Sequence, residues 1–425
     1  MNVHFTMKTL LQILLFLIST LPLFAQGPQW IVYNTGNSGL PSNIIYSIAV
    51  DSNDIKWISA NSLVRFDGVN WTVYDTSNSP LTSNFINTIK IDKFNNVWLG
   101  TYQGGLVKFD GVIWTIFKKN NSGIPSNTVE DLEFDNEGNL WVATPEGLGK
   151  FNGSSWLIYR DTNSGLPTNL LQSIAMEDST LWIGGQLGGL VRYDRVIWTI
   201  YNTHNSGMPT NEIRKSCIKI DSIGKKWIGT WGGGLAIFDN KNWNVYNHVN
   251  SGLPNPFIHS LIISKKNQKL IGTGFGLAIL SDTNWATYNT TNSPIPHNTI
   301  YSISEDNLGN ILIGTGNGLV VYNSGGVINI NIKTNEIPND LTLHQNYPNP
   351  FNSNTIIKYE VSKKQFVKII VYNSSGKLVS KLVEKIHMPG TYFVNFESNL
   401  ETSGVYFYSI SNGKINTTKK MVYLK

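Results

Sequence analysis

Apart from one apolar run at the N-terminus, the chain never holds a helical spacing of apolar positions. Apolar residues instead alternate with polar ones over short stretches, the mark of half-buried strands. Stretches such as Ile44–Val50 are bounded by clusters of Asn, Ser, Gly and Pro. Those clusters make turns: Gly frees φ, Pro fixes it, and Asn bonds back to the main chain. One element recurs, Trp-x-x-aromatic, at Trp30/Tyr33, Trp71/Tyr74, Trp114/Phe117, Trp156/Tyr159, Trp198/Tyr201, Trp243/Tyr246 and Trp285/Tyr288. The steps between successive Trp residues are 41, 43, 42, 42, 45 and 42. A period of this size is that of one four-stranded propeller blade.

Each period holds the same four parts. The Trp-x-x-aromatic strand runs into a turn such as Asn37–Asn43, then an alternating strand, then an Asp-containing turn (Asp51, Asp92, Asp135, Asp221). The next strand reads Trp-Ile/Leu-Gly-Thr at Trp98–Thr101 and Trp227–Thr230, and becomes Leu270–Thr273 and Leu312–Thr315 late in the chain. A Gly-Leu pair opens the third strand (Gly105-Leu106, Gly234-Leu235), and Asp-Gly or a similar pair (Asp67-Gly68, Asp110-Gly111) closes it. The first Trp-x-x-aromatic stands alone at 30–33, and the last period lacks its own. The expected fold is therefore an all-β, seven-bladed β-propeller, its final blade closed by the N-terminal strand so that no open edge remains. The Trp of each blade is expected to pack between neighbouring sheets.

These motifs resemble the two-component-regulator propeller repeat, with its "W-x-G-T-x-x-G-L" strand pair, aspartate turn and "s-G-L-P-x-N-x-I" connection. The resemblance spans about 27–325 and implies an extracellular ring of the kind found in sensory receptors. It departs from the receptors in that no histidine-kinase segment, receiver or membrane helix follows.

After about residue 325 the period stops. Residues 326–340 read as a Gly- and Asn-rich linker. New alternating strands follow from 341 to 425, separated by hairpin signals at Asn373–Gly376 and Ser411–Gly413, and predict a small Ig-like β-sandwich. A Pro-stiffened lead-in precedes them, Tyr347-Pro348-Asn349-Pro350-Phe351. This lead-in, the hairpin at Gly376, "s-G-v-Y-f-y" around Gly404 and a terminal stretch with Lys419 and Lys420 resemble the C-terminal sorting domain of type IX secretion substrates. The resemblance implies contact with the type IX secretion machinery, passage through the periplasm and across an outer membrane, and removal of the tail. Release, or attachment to surface lipopolysaccharide, would then follow.

At the other end, Lys8 followed by an apolar run from Leu10 to Phe24 reads as a secretory signal peptide over 1–25, leaving the propeller at 26–325. The expected location is secreted or at the cell surface. Charged residues are 14% of the chain, too few for a coiled coil or a charge-driven disordered chain. The single cysteine, Cys217, excludes an internal disulfide framework and a multi-cysteine zinc site. The net charge of +5 suggests nucleic acid until it is placed. Residues 342–425 hold 11 Lys against 4 Glu, and residues 27–341 hold 21 basic against 24 acidic residues. The basic excess belongs to the tail, and a nucleic-acid partner is not expected.

No catalytic motif stands out. G-x-S-x-G and H-x-x-x-H are absent, and the recurring aspartates are read as turn formers. No cofactor or metal is expected. What varies between blades is the loop from second to third strand. Tyr102, Gln103, Glu146, Gln186, Trp231, Phe275 and Asn317 are the candidate ligand contacts, with Tyr102, Trp231 and Phe275 able to stack on a sugar or grip a peptide. The expected function is an extracellular binding or sensing module for a glycan or protein, most simply a monomer. Two alternatives stand beside it: an architectural adhesion protein, and a lyase similar to streptogramin lyases, for which Glu146 and His259 are the remote candidates.

Overall fold

The computed structural model describes residues 29–325 and 341–425, apart from 363, 389, 398–401 and 413–415. The expected signal peptide and linker lie outside the described residues. The chain divides into two compact units, 1–331 and 332–425. Every element among the described residues is a strand.

In the first unit the strands form seven four-stranded antiparallel sheets. We number them in chain order: sheet 1 (47–74), sheet 2 (86–117), sheet 3 (131–159), sheet 4 (171–201), sheet 5 (213–246), sheet 6 (258–288) and sheet 7 (300–323). The first six are simple meanders. Sheet 7 takes its outer strand from Gln29–Tyr33, which pairs with Gly318–Asn323 in the register Trp30 to Tyr322. The first strand of each sheet neighbours that of the next, and Ile300–Glu305 of sheet 7 neighbours Ser47–Val50 of sheet 1, so the inner strands close a ring.

An aromatic belt closes the same ring on the outside. The aromatic ending each outer strand meets the Trp opening the next: Tyr33–Trp71 at 5.3 Å, Tyr74–Trp114 at 5.6 Å, Phe117–Trp156 at 6.4 Å and Tyr159–Trp198 at 5.6 Å. It continues through Tyr201–Trp243 at 5.9 Å and Tyr246–Trp285 at 5.4 Å, and Tyr288–Trp30 at 5.2 Å completes the circuit. Edge-on contacts of this kind add about 0.5–1.5 kcal/mol each beyond area burial. Within a sheet the same Trp stacks flat on the third-strand aromatic, as Trp71 does on Phe66 at 3.9 Å.

Each remaining repeat motif has a local bond behind it. The turn aspartates accept two main-chain N–H groups and the indole N–H of the second-strand Trp, as Asp135 does from Trp141 at 3.0 Å. In sheet 6 both the Trp and its carboxylate are replaced, by Leu270 and Ser264, whereas sheet 7 loses the Trp to Leu312 and keeps Asp306 for the turn. The buried threonines of Gly-Thr donate across the turn to the glycine carbonyl, Thr101 to Gly105 at 2.7 Å. Gly105 has φ +89°, and a Cβ there would lie 2.3 Å from the Phe117 carbonyl oxygen, so this corner needs glycine. Asn43, Asn84, Asn127, Asn169, Asn211 and Asn298 each accept the main-chain N–H eight residues upstream, pinning the loop that crosses between sheets.

The second unit packs a three-stranded sheet (Leu341–Leu343, Asn354–Val361, Gly390–Glu397) and a four-stranded sheet (Leu378–His387, Gln365–Asn373, Gly404–Ser411, Asn416–Tyr423) around one core. Leu341–Leu343 is a strand that the sequence pattern did not single out. Phe351 is buried against Phe396 and Tyr423, and the Asn349 side chain accepts the Val422 N–H at 2.8 Å, tying the Pro-rich lead-in to the last strand. Tyr347 is 81% exposed while its main chain pairs with Ile356. Gly376 occupies the hairpin turn at φ +80°, Gly404 begins a strand, and Lys419 and Lys420 lie on the terminal strand.

Candidate functional site: the mouth of the central channel

The inner strands enclose a cavity of about 630 Å³ to which all seven sheets contribute. One position supplies much of its rim. Three residues beyond the loop Asn, or beyond Pro256 in sheet 6, the sheets carry Tyr46, Asn87, Glu130, Gln172, Arg214, His259 and Tyr301, of which all but Glu130 and Gln172 line the cavity. The residue immediately before it is a buried aliphatic in all seven sheets (Ile45, Ile86, Val129, Leu171, Ile213, Ile258, Ile300), whereas this position changes from sheet to sheet. A fold needs no such variety, since a single residue type would suffice at seven equivalent places.

The aromatic members touch. Tyr46 and Tyr301 lie 5.5 Å apart, Tyr301 and His259 5.7 Å, and His259 and Trp231 5.0 Å, with Phe257 another 5.0 Å from Trp231. The Arg214 guanidinium lies over the Trp231 ring at 4.1 Å and bonds Glu212 at 3.0 Å. Burial, helped by the Arg214 charge, holds the His259 imidazole below its ordinary proton affinity, which favours the neutral ring.

Sheet 5 departs from the others. From loop Asn to turn acid its inner strand takes ten steps along the chain (Asn211 to Asp221), against eight in sheet 2 (Asn84 to Asp92). The surplus bulges between Ile213 and Ile218 and drives Ser216 to φ +52°. The bulge reaches across the channel. Lys215 Nζ bonds Asn87 of sheet 2 and Glu130 of sheet 3, both at 2.8 Å, and the Ser216 hydroxyl donates to Asp131 of sheet 3 at 2.8 Å. Burial pushes the Asp131 carboxyl up, although Lys219 and the Ile174 N–H favour its charge. Burial acts against the Lys90 ammonium, but Glu133 at 2.7 Å outweighs it and raises its pKa. Cys217, inside the bulge, is fully buried, and burial raises its thiol to about 12.

The seven loop candidates scatter round the ring, and only Trp231 among them lines the cavity. Tyr102 and Phe275 are exposed outward on the rim, at 49% and 61%. Gln103 sits at φ +59° in its turn, and the Gln186 N–H bonds Leu170. Asn317 accepts from Asn43. Glu146 is tied to Lys119 at 2.7 Å and Ser126 at 2.9 Å, and the Lys119 bond holds its carboxyl low. The lyase pair is thus divided: His259 lines the cavity, and Glu146 belongs to a loop of another sheet. Reading by recurrence missed the rim because it discards whatever does not repeat. Aligning the periods on the loop Asn would have found it, and the 45-residue step marks the insertion.

Two family descriptions match the chain. "Two component regulator propeller" matches residues 80–103, 123–146 and 294–317, and "Secretion system C-terminal sorting domain" matches 345–424. The first unit is a propeller and the tail is a type IX sorting domain, which directs export to the cell surface or extracellular space through the type IX machinery. No curated protein matches the chain in sequence. Among solved structures it is similar to the extracellular domain of a hybrid two component system from B. thetaiotaomicron, at 19% identity and TM-score 0.61, covering 93% of this chain and 57% of that one. It is also similar to PorZ, a surface component of the type IX secretion system of Porphyromonas gingivalis, at 16% identity and TM-score 0.56, covering 92% and 61%. A streptogramin B lyase matches at 14% identity and TM-score 0.57, covering 70% of this chain and 97% of the lyase. The chain thus spans about three fifths of the first two structures, and at these identities the likeness is one of fold.

Proposed function

We propose that this is an exported propeller that binds an extracellular glycan at the mouth of its central channel. The observation that carries the reading is the inner position at which equivalent strands present unlike polar and aromatic side chains, five of the seven lining one cavity. A volume near 630 Å³ suits a sugar of one to a few rings. Tyr301, His259 and Trp231 offer ring faces, and Arg214 beside them offers N–H donors, the two kinds of group that sugar rings and hydroxyls require. On this reading the tail is removed after export, and the ring is released or attached to lipopolysaccharide.

A second reading, a protein partner, draws support from the apolar rim outside the cavity, where Phe85, Tyr102, Leu187 and Phe275 are exposed. A glycan array probed with the full chain, Trp231→Ala and a Tyr102→Ala/Phe275→Ala double variant separates the two. Glycan binding that survives in the rim variant and disappears in Trp231→Ala is expected. No glycan bound, with a protein partner captured only when the rim is intact, would replace the first reading by the second.

A further inference from the structure

Resting on the glycan reading, we infer that the ligand is an acidic saccharide, its carboxylate taken by Arg214 on the sheet 5 insertion. Two observations converge. First, the cavity lining carries four cationic side chains, Lys90, Arg214, Lys215 and Lys219. Three are held in ion pairs, by Glu133, Glu212 and Glu130, and Lys219 makes none among the described residues, which leaves it and the rest of the Arg214 fork for an anion.

Second, the Arg214 fork is only half used. One terminal nitrogen bonds Glu212 and the plane rests on Trp231, which fixes the orientation of the guanidinium. Its other terminal nitrogen makes no bond among the described residues, and an incoming carboxylate can take it with a charge-assisted bond. A uronic-acid ring carries such a carboxylate. The flat Trp231 face beside the arginine gives that ring a place to stack.

The test is titration calorimetry of the full chain with three probes: a uronic-acid oligosaccharide, its methyl ester, and the neutral hexose oligosaccharide of the same linkage. Arg214→Gln and Arg214→Lys are measured alongside, with thermal melts as a fold check. The acidic probe is expected to bind about tenfold to a hundredfold more tightly than either neutral probe, the range of one charged hydrogen bond. Arg214→Gln should erase that preference while keeping the melt. Arg214→Lys, which keeps charge without the fork, should recover only part of it. Neutral probes binding as well as the acidic one, or a preference that persists in Arg214→Gln, would overturn the inference and leave the glycan reading standing. Failure of all three probes, and of the glycan array, would overturn both.

Discussion

The outer belt and the inner rim of the ring occupy opposite ends of the same sheets and follow opposite rules. Along the belt, seven Trp-x-x-aromatic strands repeat one contact seven times, each within 5.2–6.4 Å. Around the rim, seven equivalent positions carry six different residue types. Packing between identical sheets rewards sameness, because one solution to the wedge between sheets serves everywhere. A ligand is not seven-fold symmetric, so a surface that recognises one must break the repeat. Repetition in this chain therefore marks what folds, and variation at a repeated address marks what the ring is for.

The heaviest blow to the belt is removal of residues 29–33. This strips sheet 7 of its outer strand and breaks the Tyr288–Trp30 link. The cooperative thermal transition of the propeller should be lost in calorimetry; an unchanged transition would mean that closure does not depend on this strand. Next comes Trp141→Ala, which empties a fully buried site stacked on the belt residue Tyr159 and removes one of the bonds to Asp135. A loss of about 3–5 kcal/mol is expected in urea unfolding, where the same change at an exposed rim aromatic should cost under about 0.5 kcal/mol. Smaller still is Gly252→Ala. Its methyl would lie 2.3 Å from Trp285 Cβ, overpacking the turn under the belt at a cost of about 1–3 kcal/mol.

Acid should act on the belt side through the turn aspartates. Burial works to raise Asp92 and Asp135, but bonds from their Trp and Asn partners hold both below the usual carboxylate range. A depressed folded pKa gives stability that is complete above the unfolded value, roughly 3.9. It is lost as pH falls through the folded value. The melting temperature should therefore decline below about pH 4, and Asp92→Asn should flatten that decline.

Much of this architecture was legible in the chain because it is periodic. The strand order, the offset of Trp30–Tyr33 into the last sheet and the hairpins of the tail follow from spacing, turn residues and alternation alone. The rim was harder to see for a physical reason. Its residues obey no pattern, and in one period they read as ordinary polar positions on a strand. His259 stood out only as a remote lyase candidate beside Glu146, and Arg214 not at all. The two extra residues in sheet 5 look like loop variation until the bulge carries Lys215 and Ser216 across the channel to Glu130 and Asp131. The loop candidates were chosen because they vary, yet all but Trp231 vary on the outer rim, away from the cavity.

The division between belt and rim is tested most directly by one paired measurement. A triple variant, Tyr46→Ala/His259→Ala/Tyr301→Ala, is compared with Trp141→Ala by thermal melting and by binding on the glycan array. The rim variant should melt within a few degrees of the parent and bind no glycan, while the Trp141 variant should melt far lower. A rim variant that melts as low as Trp141→Ala and still binds would contradict the assignment of the channel mouth to recognition.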